Sequence, residues 1–178
     1  MYIATLAMLL AAQAPVIGPP VPAGPHPAAV VRTGDGSVLG AIGARDANMI
    51  EVAKLATTKA SGSANALAAT VLKDHQLSLT AGASLAKRLR IIRLLPADSA
   101  MARAQVDEMA ALNALDGPAF DKAFVQFIAD DHKAAIVKVS GPELAQATNA
   151  QVKAFVRQRL PTLKAHQLAA EDWLAKHP

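Results

Sequence analysis

The chain has 178 residues, of which 52% are hydrophobic but only 3% are aromatic, and it contains no cysteine. Ala and Leu supply most of the apolar residues, so the composition favours helices and a core of small or unbranched side chains. The formal net charge is +4. The lack of cysteine excludes disulfides, thiolate metal sites, iron–sulfur clusters and cysteine nucleophiles, and it leaves the redox compartment open.

The N-terminus has the pattern of a targeting segment followed by a spacer. Residues 3–12 form an uncharged apolar run too short to span a bilayer, and residues 12–14 read AQA, the form of a cleavage site. We expect residues 1–14 to be a signal peptide and the protein to be periplasmic or secreted, with no transmembrane span in the mature chain. No Lys or Arg precedes the run, and a retained anchor or an untargeted cytoplasmic chain are the alternatives. Residues 15–34 are rich in Pro and Gly and predict a flexible arm.

Residues 35–178 are expected to form a single helical domain, because apolar residues recur there at spacings of three and four. The predicted helices cover about 37–60, 63–89, 99–115 and 119–139, and they are separated by Gly, Pro and Ser breaks. A last helical stretch covers about 143–176, and Pro161 should kink it or divide it in two. The pattern predicts an all-α, up-and-down four-helix bundle with a short extra helix.

Three histidines lie within separate predicted helices. The sequence LKDHQL around His75 recurs as LKAHQL around His166. The sequence IADDHK around His132 contains the same Asp-His pair as the segment around His75. Spacing by three and four from apolar neighbours places all three imidazoles on inward stripes. The sequence therefore predicts that they converge in the middle of the bundle.

Several short signatures resemble the secreted bacterial proteins grouped as domain of unknown function 4142. They are Glu51-Val52 with Leu55-Ala56, Asp74-His75, the run FDKAF at 120–124 with Asp131-His132, and the run LPTLKAH at 160–166. The resemblance implies a ferritin-like helical bundle and brings no established activity. The sequence departs from the family at Gly40, where an aromatic residue is usual, and in the basic stretch before Pro96.

A ferritin-like fold suggests a di-iron site, which requires Glu-x-x-His on each of two helices. The residues three before the histidines are Leu72, Ala129 and Leu163, so di-iron oxidoreductase chemistry is disfavoured. A mononuclear site remains a candidate, with zinc or copper as the single transition metal ion. Its ligands would be His75, His132, His166 and, as a fourth, Glu51.

The alternative is that the histidines only pack and pair inside the bundle. Asp74 and Asp131 would then accept hydrogen bonds across helices and select one helix arrangement. The sequence contains no Gly-x-Ser-x-Gly elbow, P-loop or dinucleotide fingerprint, and it predicts no catalytic or cofactor-binding residue. It favours a non-enzymatic envelope or periplasmic protein with a binding or stress-related role over an enzyme, with mononuclear metal binding as the alternative function.

Basic residues concentrate in one stretch of seven residues, where Lys87, Arg88, Arg90 and Arg93 occur with no acidic residue between Gln76 and Ala97. This cluster predicts contact with an anionic envelope surface. The alternative is a solvated helix end that the helix dipole favours. Nucleic-acid binding is disfavoured, because the chain has one Trp, one Tyr and an expected export signal.

Overall fold

The structure is a computed structural model that describes residues 33–96 and 99–178, and these residues form helices and connections without a strand. The predicted signal peptide and nearly all of the predicted arm lie outside the described residues. No described helix is long and apolar enough to cross a membrane. The helices are α1 (Thr33–Lys59), α2 (Gly62–Leu89), α3 (Ser99–Asn113), α4 (Gly117–Ser140), α5 (Pro142–Gln146) and α6 (Ala150–Lys176).

Four long helices, α1, α2, α4 and α6, form a bundle, which confirms the predicted all-helical architecture. Near the start of α4, the Asp121 carboxylate accepts hydrogen bonds from the Ser61 N–H (3.1 Å) and hydroxyl (2.7 Å), at the start of α2. Helices α2 and α4 therefore begin at the same end and run parallel, so the chain crosses back along the bundle through α3. One such long crossover is a feature of ferritin-like bundles, the fold that the family resemblance implies.

The core consists of two apolar clusters with a polar layer between them. One cluster surrounds Phe120 and Phe124 near the α1–α2 turn, and the other surrounds Leu39 and Val156 toward the opposite end. Between the clusters, one level of the bundle carries charged or polar side chains from all four long helices, each 6% exposed or less. These side chains belong to Asp46, His75, His132, Arg159 and His166.

The last helical stretch divides at residues 147–149 and not at Pro161, which lies inside the continuous helix α6. The buried Asp35 carboxylate of α1 accepts hydrogen bonds from the Thr148 N–H (2.7 Å) and the Asn149 N–H (3.0 Å), and the Asn149 side chain caps α6. Pro161 is exposed, so the backbone carbonyl that it leaves without a partner can bind water.

Gly40 and the segment before Pro96, the two positions expected to depart from the family pattern, contact each other. At Gly40, an added Cβ would lie 1.8 Å from the Leu94 carbonyl oxygen, because the backbone after α2 crosses α1 at this point. The Leu94 N–H also donates to the Gly36 carbonyl at 3.0 Å. The missing side chain at Gly40 therefore leaves the space through which the segment before Pro96 passes.

Candidate metal centre

The structure brings together the three histidines that the sequence singled out. His75 lies in the middle of α2, His132 in α4 and His166 in α6, and their exposed fractions are 2%, 0% and 3%. The His75 and His132 Nε2 atoms are 3.3 Å apart, and His132 Nε2 is 3.1 Å from His166 Nδ1. Each histidine offers a ring nitrogen within 4.8 Å of those of the other two.

The other nitrogen of each ring faces an oxygen. His75 Nδ1 is 2.8 Å from the Asp46 carboxylate, and His166 Nε2 is 3.0 Å from the Asp74 carboxylate. His132 Nδ1 is 2.9 Å from the backbone carbonyl of Ile128, one turn earlier in α4. Carboxylates and carbonyls only accept hydrogen bonds, so each of these outer nitrogens carries the proton and donates it.

These partners determine the protonation of the inner nitrogens. A neutral imidazole has one N–H, and in all three rings that N–H is directed outward. The three inner nitrogens of His75, His132 and His166 then present lone pairs to one another, with no hydrogen between them. Buried acceptors without a donor are costly, so the arrangement favours a positive charge or a hydrogen-bond donor at its centre, for example a metal ion or an added proton.

An added proton on the central ring is disfavoured. Burial, together with the neighbouring His75 and His166, lowers the pKa of His132 to about 3. Burial also lowers the pKa of His166, although the hydrogen bond to Asp74 opposes that shift. At neutral pH these two rings are therefore neutral, the form in which imidazole binds a metal.

Sequence reasoning missed the ion pair that supports His75. The buried Asp46 carboxylate receives two hydrogen bonds from the Arg159 guanidinium, each 2.8 Å long, and one from the Ser78 hydroxyl at 2.7 Å. Burial alone would raise the pKa of Asp46, but the hydrogen bond from His75 and the charge of Arg159 outweigh it and hold the pKa below its ordinary value. Asp46 therefore remains a carboxylate that orients the His75 ring.

A signal for this pair was present in the sequence. Asp46 follows Ile42 by four residues and precedes Met49 by three, and in α6 Arg159 follows Val156 by three residues and precedes Leu163 by four. A charged residue at an inward position of an apolar stripe indicates a buried partner.

Glu51 does not join the histidines, which corrects its prediction as a fourth ligand. Its side chain is 61% exposed, and its carboxylate binds Lys54 Nζ at 2.7 Å on the surface of α1. The carboxylate that α1 contributes near the site is Asp46, five residues earlier, and it contacts the outer nitrogen of His75. A shift of five residues on a helix changes the direction of the side chain by roughly 140°.

The two aspartates beside the histidines have different surroundings. Asp74 of α2 reaches across to His166 of α6, as expected for a residue that fixes helix order. Asp131 lies 3.9 Å from His132 Nδ1, and its Oδ2 atom has no hydrogen-bond partner among the described residues. Its burial raises its pKa.

Two grooves between α2 and α6 reach the histidine cluster from outside. A groove of about 750 Å³ is lined by Asp74 and His166, and a second groove of about 260 Å³ is lined by Asp74, His75 and Arg159. Asp74 and Thr162 lie at both. Two of the three histidines, His75 and His166, therefore line grooves on the surface of the bundle.

The fold and this cluster define a helical bundle with a buried three-histidine centre. The family model for a domain of unknown function (DUF4142) matches residues 21–173, and the chain belongs to this family, which confirms the resemblance seen in the sequence. A search of curated proteins finds no match.

Two solved structures share the fold. A DUF305 fragment from Deinococcus radiodurans has a TM-score of 0.71 at 16% identity, over 80% of this chain and 96% of that chain. A candidate secreted DUF305 protein from Streptomyces coelicolor has a TM-score of 0.67 at 13% identity, over 81% of this chain and 92% of that one. At these identities the similarity establishes the helical fold alone.

Proposed function

We propose that this protein is an exported, non-enzymatic bundle that binds one transition-metal ion through His75 Nε2, His132 Nε2 and His166 Nδ1. One observation carries the proposal: all three outer nitrogens donate to oxygen acceptors, so three lone pairs face each other in the core. A metal ion at their centre turns this repulsive arrangement into a set of ligand bonds.

The spacing of the inner nitrogens supports a single ion. With metal–nitrogen bonds of about 2.05 Å, two ligands of a tetrahedral ion lie about 3.3 Å apart. Two of the three separations match this value, 3.3 Å for His75 with His132 and 3.1 Å for His132 with His166, and all three nitrogens lie within 4.8 Å of one another.

The outer partners are those of known metal sites. Histidine ligands commonly donate their second N–H to a carboxylate or a backbone carbonyl, which fixes the ring and raises its basicity. Here Asp46 and Asp74 supply the carboxylates and Ile128 the carbonyl.

The donor set indicates which ions fit. Three neutral imidazoles suit zinc or copper, and a site without bridging carboxylates does not suit a di-iron pair. Three protein ligands also leave one coordination position open. We therefore expect zinc or copper with a fourth ligand from water or a small molecule.

Export is part of the proposal. It rests on the apolar run and AQA sequence within residues 1–14 and on a structural neighbour whose name describes a candidate secreted protein. A periplasmic or extracellular metal-binding protein without cysteine would keep its ligands under oxidising conditions, because imidazoles do not form disulfides.

Elemental analysis of protein purified without a histidine tag tests the proposal. We expect about one zinc or copper ion per chain, in protein as isolated or after the metal-free chain is reloaded, because three ligands converge on one point. The His132→Ala variant should lose this ion. The matched control is His177→Ala, since His177 is an exposed histidine that stacks on Trp173 at 3.9 Å, away from the cluster, and this variant should retain the metal.

A purely structural role for the histidines gives the opposite result. If neither the isolated nor the reloaded protein holds stoichiometric metal, the metal-binding proposal is wrong. Circular dichroism of His132→Ala separates loss of ligand from loss of fold: the proposal requires metal loss while the helical signal persists. If His132→Ala unfolds, the substitutions His75→Gln and His166→Gln, each of which keeps a polar side chain, test the same ligand set.

A further inference from the structure

The last turn of α2 and the residues that follow it combine exposed cations with exposed apolar side chains. We define the basic-apolar segment as residues 87–95. Its four cations are all exposed: Lys87, Arg88, Arg90 and Arg93. Its large apolar side chains on the surface are Ile92 (51% exposed), Leu94 (37%) and Leu95 (79%).

This segment holds much of the exposed apolar surface of the described residues. Seven large hydrophobic side chains in 34–96 and 103–178 are exposed, and three of the seven fall within residues 92–95. Isolated exposed apolar residues are common on protein surfaces, whereas a contiguous group marks an interaction site. The clustering therefore indicates a partner.

The backbone of the segment is held in place. Arg90 adopts the left-handed conformation (φ 55°), and the N–H groups of Arg90 and Ile91 bond the last carbonyls of α2. Ile91 is buried, and the Leu94 N–H donates to Gly36 of α1. The exposed side chains are thus presented from a fixed backbone.

The cations have no carboxylate partner among the described residues, and Arg88 donates only to the Gln151 amide at 3.0 Å. The helix dipole favours Lys87 and Arg88 in the last turn of α2. That effect decays within a turn and explains neither Arg93 nor the exposed Leu95.

We propose that the basic-apolar segment docks the protein on the surface of an anionic lipid bilayer. Its apolar side chains would enter the boundary between headgroups and acyl chains, while its cations contact lipid phosphates, the arrangement of interfacial anchors. A symmetric contact between two copies is disfavoured, because a two-fold interface would bring four cations against four cations.

Vesicle co-sedimentation tests the proposal with the full chain. We expect binding to vesicles of phosphatidylglycerol and phosphatidylcholine, weak binding to phosphatidylcholine alone, and a steep loss on raising NaCl from about 0.05 M to about 0.5 M. Each cation near an anionic leaflet contributes about fivefold to partitioning, so Arg90→Gln/Arg93→Gln should weaken binding about 25-fold. Ile92→Ser/Leu95→Ser should weaken it by at least tenfold.

Matched control variants remove exposed cations or an exposed apolar side chain from α6, outside the basic-apolar segment. Arg157→Gln/Lys164→Gln deletes two exposed cations of α6, and Leu168→Ser removes a side chain that is 65% exposed. Both variants should bind within about threefold of wild type, because they lie outside the segment. All proteins carry the same N-terminal segment, so its apolar residues contribute equally.

Four results would overturn the proposal. The first three are no binding of wild type to anionic vesicles, equal losses in the segment variants and the controls, and equal binding to neutral and anionic lipid. A fourth is a wild-type dimer by light scattering that Ile92→Ser/Leu95→Ser makes monomeric without any vesicle binding. That outcome would assign the segment to contact between copies.

Discussion

One residue of the polar layer, Asp46, both balances a buried charge and orients a histidine. Asp46 receives hydrogen bonds from His75, Ser78 and Arg159, and its side chain is completely buried. A buried ion pair is weak evidence for stability in itself, but removal of one partner leaves the other charge buried without compensation. Asp46 is therefore both the counter-ion of Arg159 and the residue that orients a candidate metal ligand.

We predict that Asp46→Asn lowers the free energy of unfolding by about 3–5 kcal/mol, because Arg159 loses its buried counter-ion. Urea unfolding followed by circular dichroism measures the change. Asp172→Asn is the matched control: Asp172 pairs with Lys176 at 2.6 Å, but both side chains are 66% exposed, so its loss should change stability by about 1 kcal/mol or less. Equal stability of the two variants would contradict the role assigned to Asp46.

At the scale of elements, α1 depends on small residues where other segments pass close to it. Gly34 approaches the Gln146 carbonyl of α5, and Gly36 and Gly40 approach the backbone carbonyls of Ile92 and Leu94. Glycine normally weakens a helix interior. In α1, however, these glycines allow other segments of the backbone to pack closely against the helix, at the end of the bundle where α2 ends and α6 begins.

We predict that Gly40→Ala destabilises the protein by about 1–3 kcal/mol, although alanine is the better helix former, because its Cβ would meet the Leu94 carbonyl. Thermal unfolding measures the effect. Gly43→Ala is the matched control in the same helix. Its Cβ meets the end of the Arg93 side chain at 3.2 Å and Leu79 at 3.7 Å, so the melting temperature should stay the same or rise. A higher melting temperature for Gly40→Ala would disprove the close approach.

At the scale of the whole molecule, the polar layer couples the stability of the bundle to pH. The pKa of His132 is about 3 in the folded chain against 6.5 for the free side chain. Between these values the unfolded chain binds a proton that the folded chain does not, so the free energy of unfolding falls as pH falls from about 6.5 toward 3. His166, with a lowered pKa, acts in the same direction. The raised pKa of Asp131 has the opposite effect at pH values above 3.8, because there the folded chain holds a proton that the unfolded chain has lost.

We predict that the metal-free protein loses stability steadily as the pH falls from about 7 to about 4, with each of the two histidines contributing up to about 1.4 kcal/mol per pH unit. Urea titrations at several pH values in the presence of a chelator measure the slope. His132→Ala should reduce the slope and His177→Ala should leave it unchanged. A wild-type stability that does not vary across this range would show that the histidines titrate normally.

Much of the site could be predicted because the information is local. His75, His132 and His166 each stand three or four residues from apolar neighbours, and that spacing alone directs them inward. The carboxylate that α1 contributes near the site was misplaced, because Glu51 belongs to a signature of the family while Asp46 belongs to the apolar stripe. The position of the break at residues 147–149 could not be predicted, since the Asp35 contact that accompanies it joins positions 113 and 114 residues apart.

The sequence by itself determined the helices, the inward direction of the three histidines and the absence of the Glu-x-x-His motif, because each depends on residues within one or two turns. Only the tertiary structure decided the parallel course of α2 and α4, the buried pair of Asp46 with Arg159, and the acceptor behind each imidazole. Those features depend on how far one helix is shifted along another. That shift is set by packing between residues distant in the chain, and no local pattern encodes it.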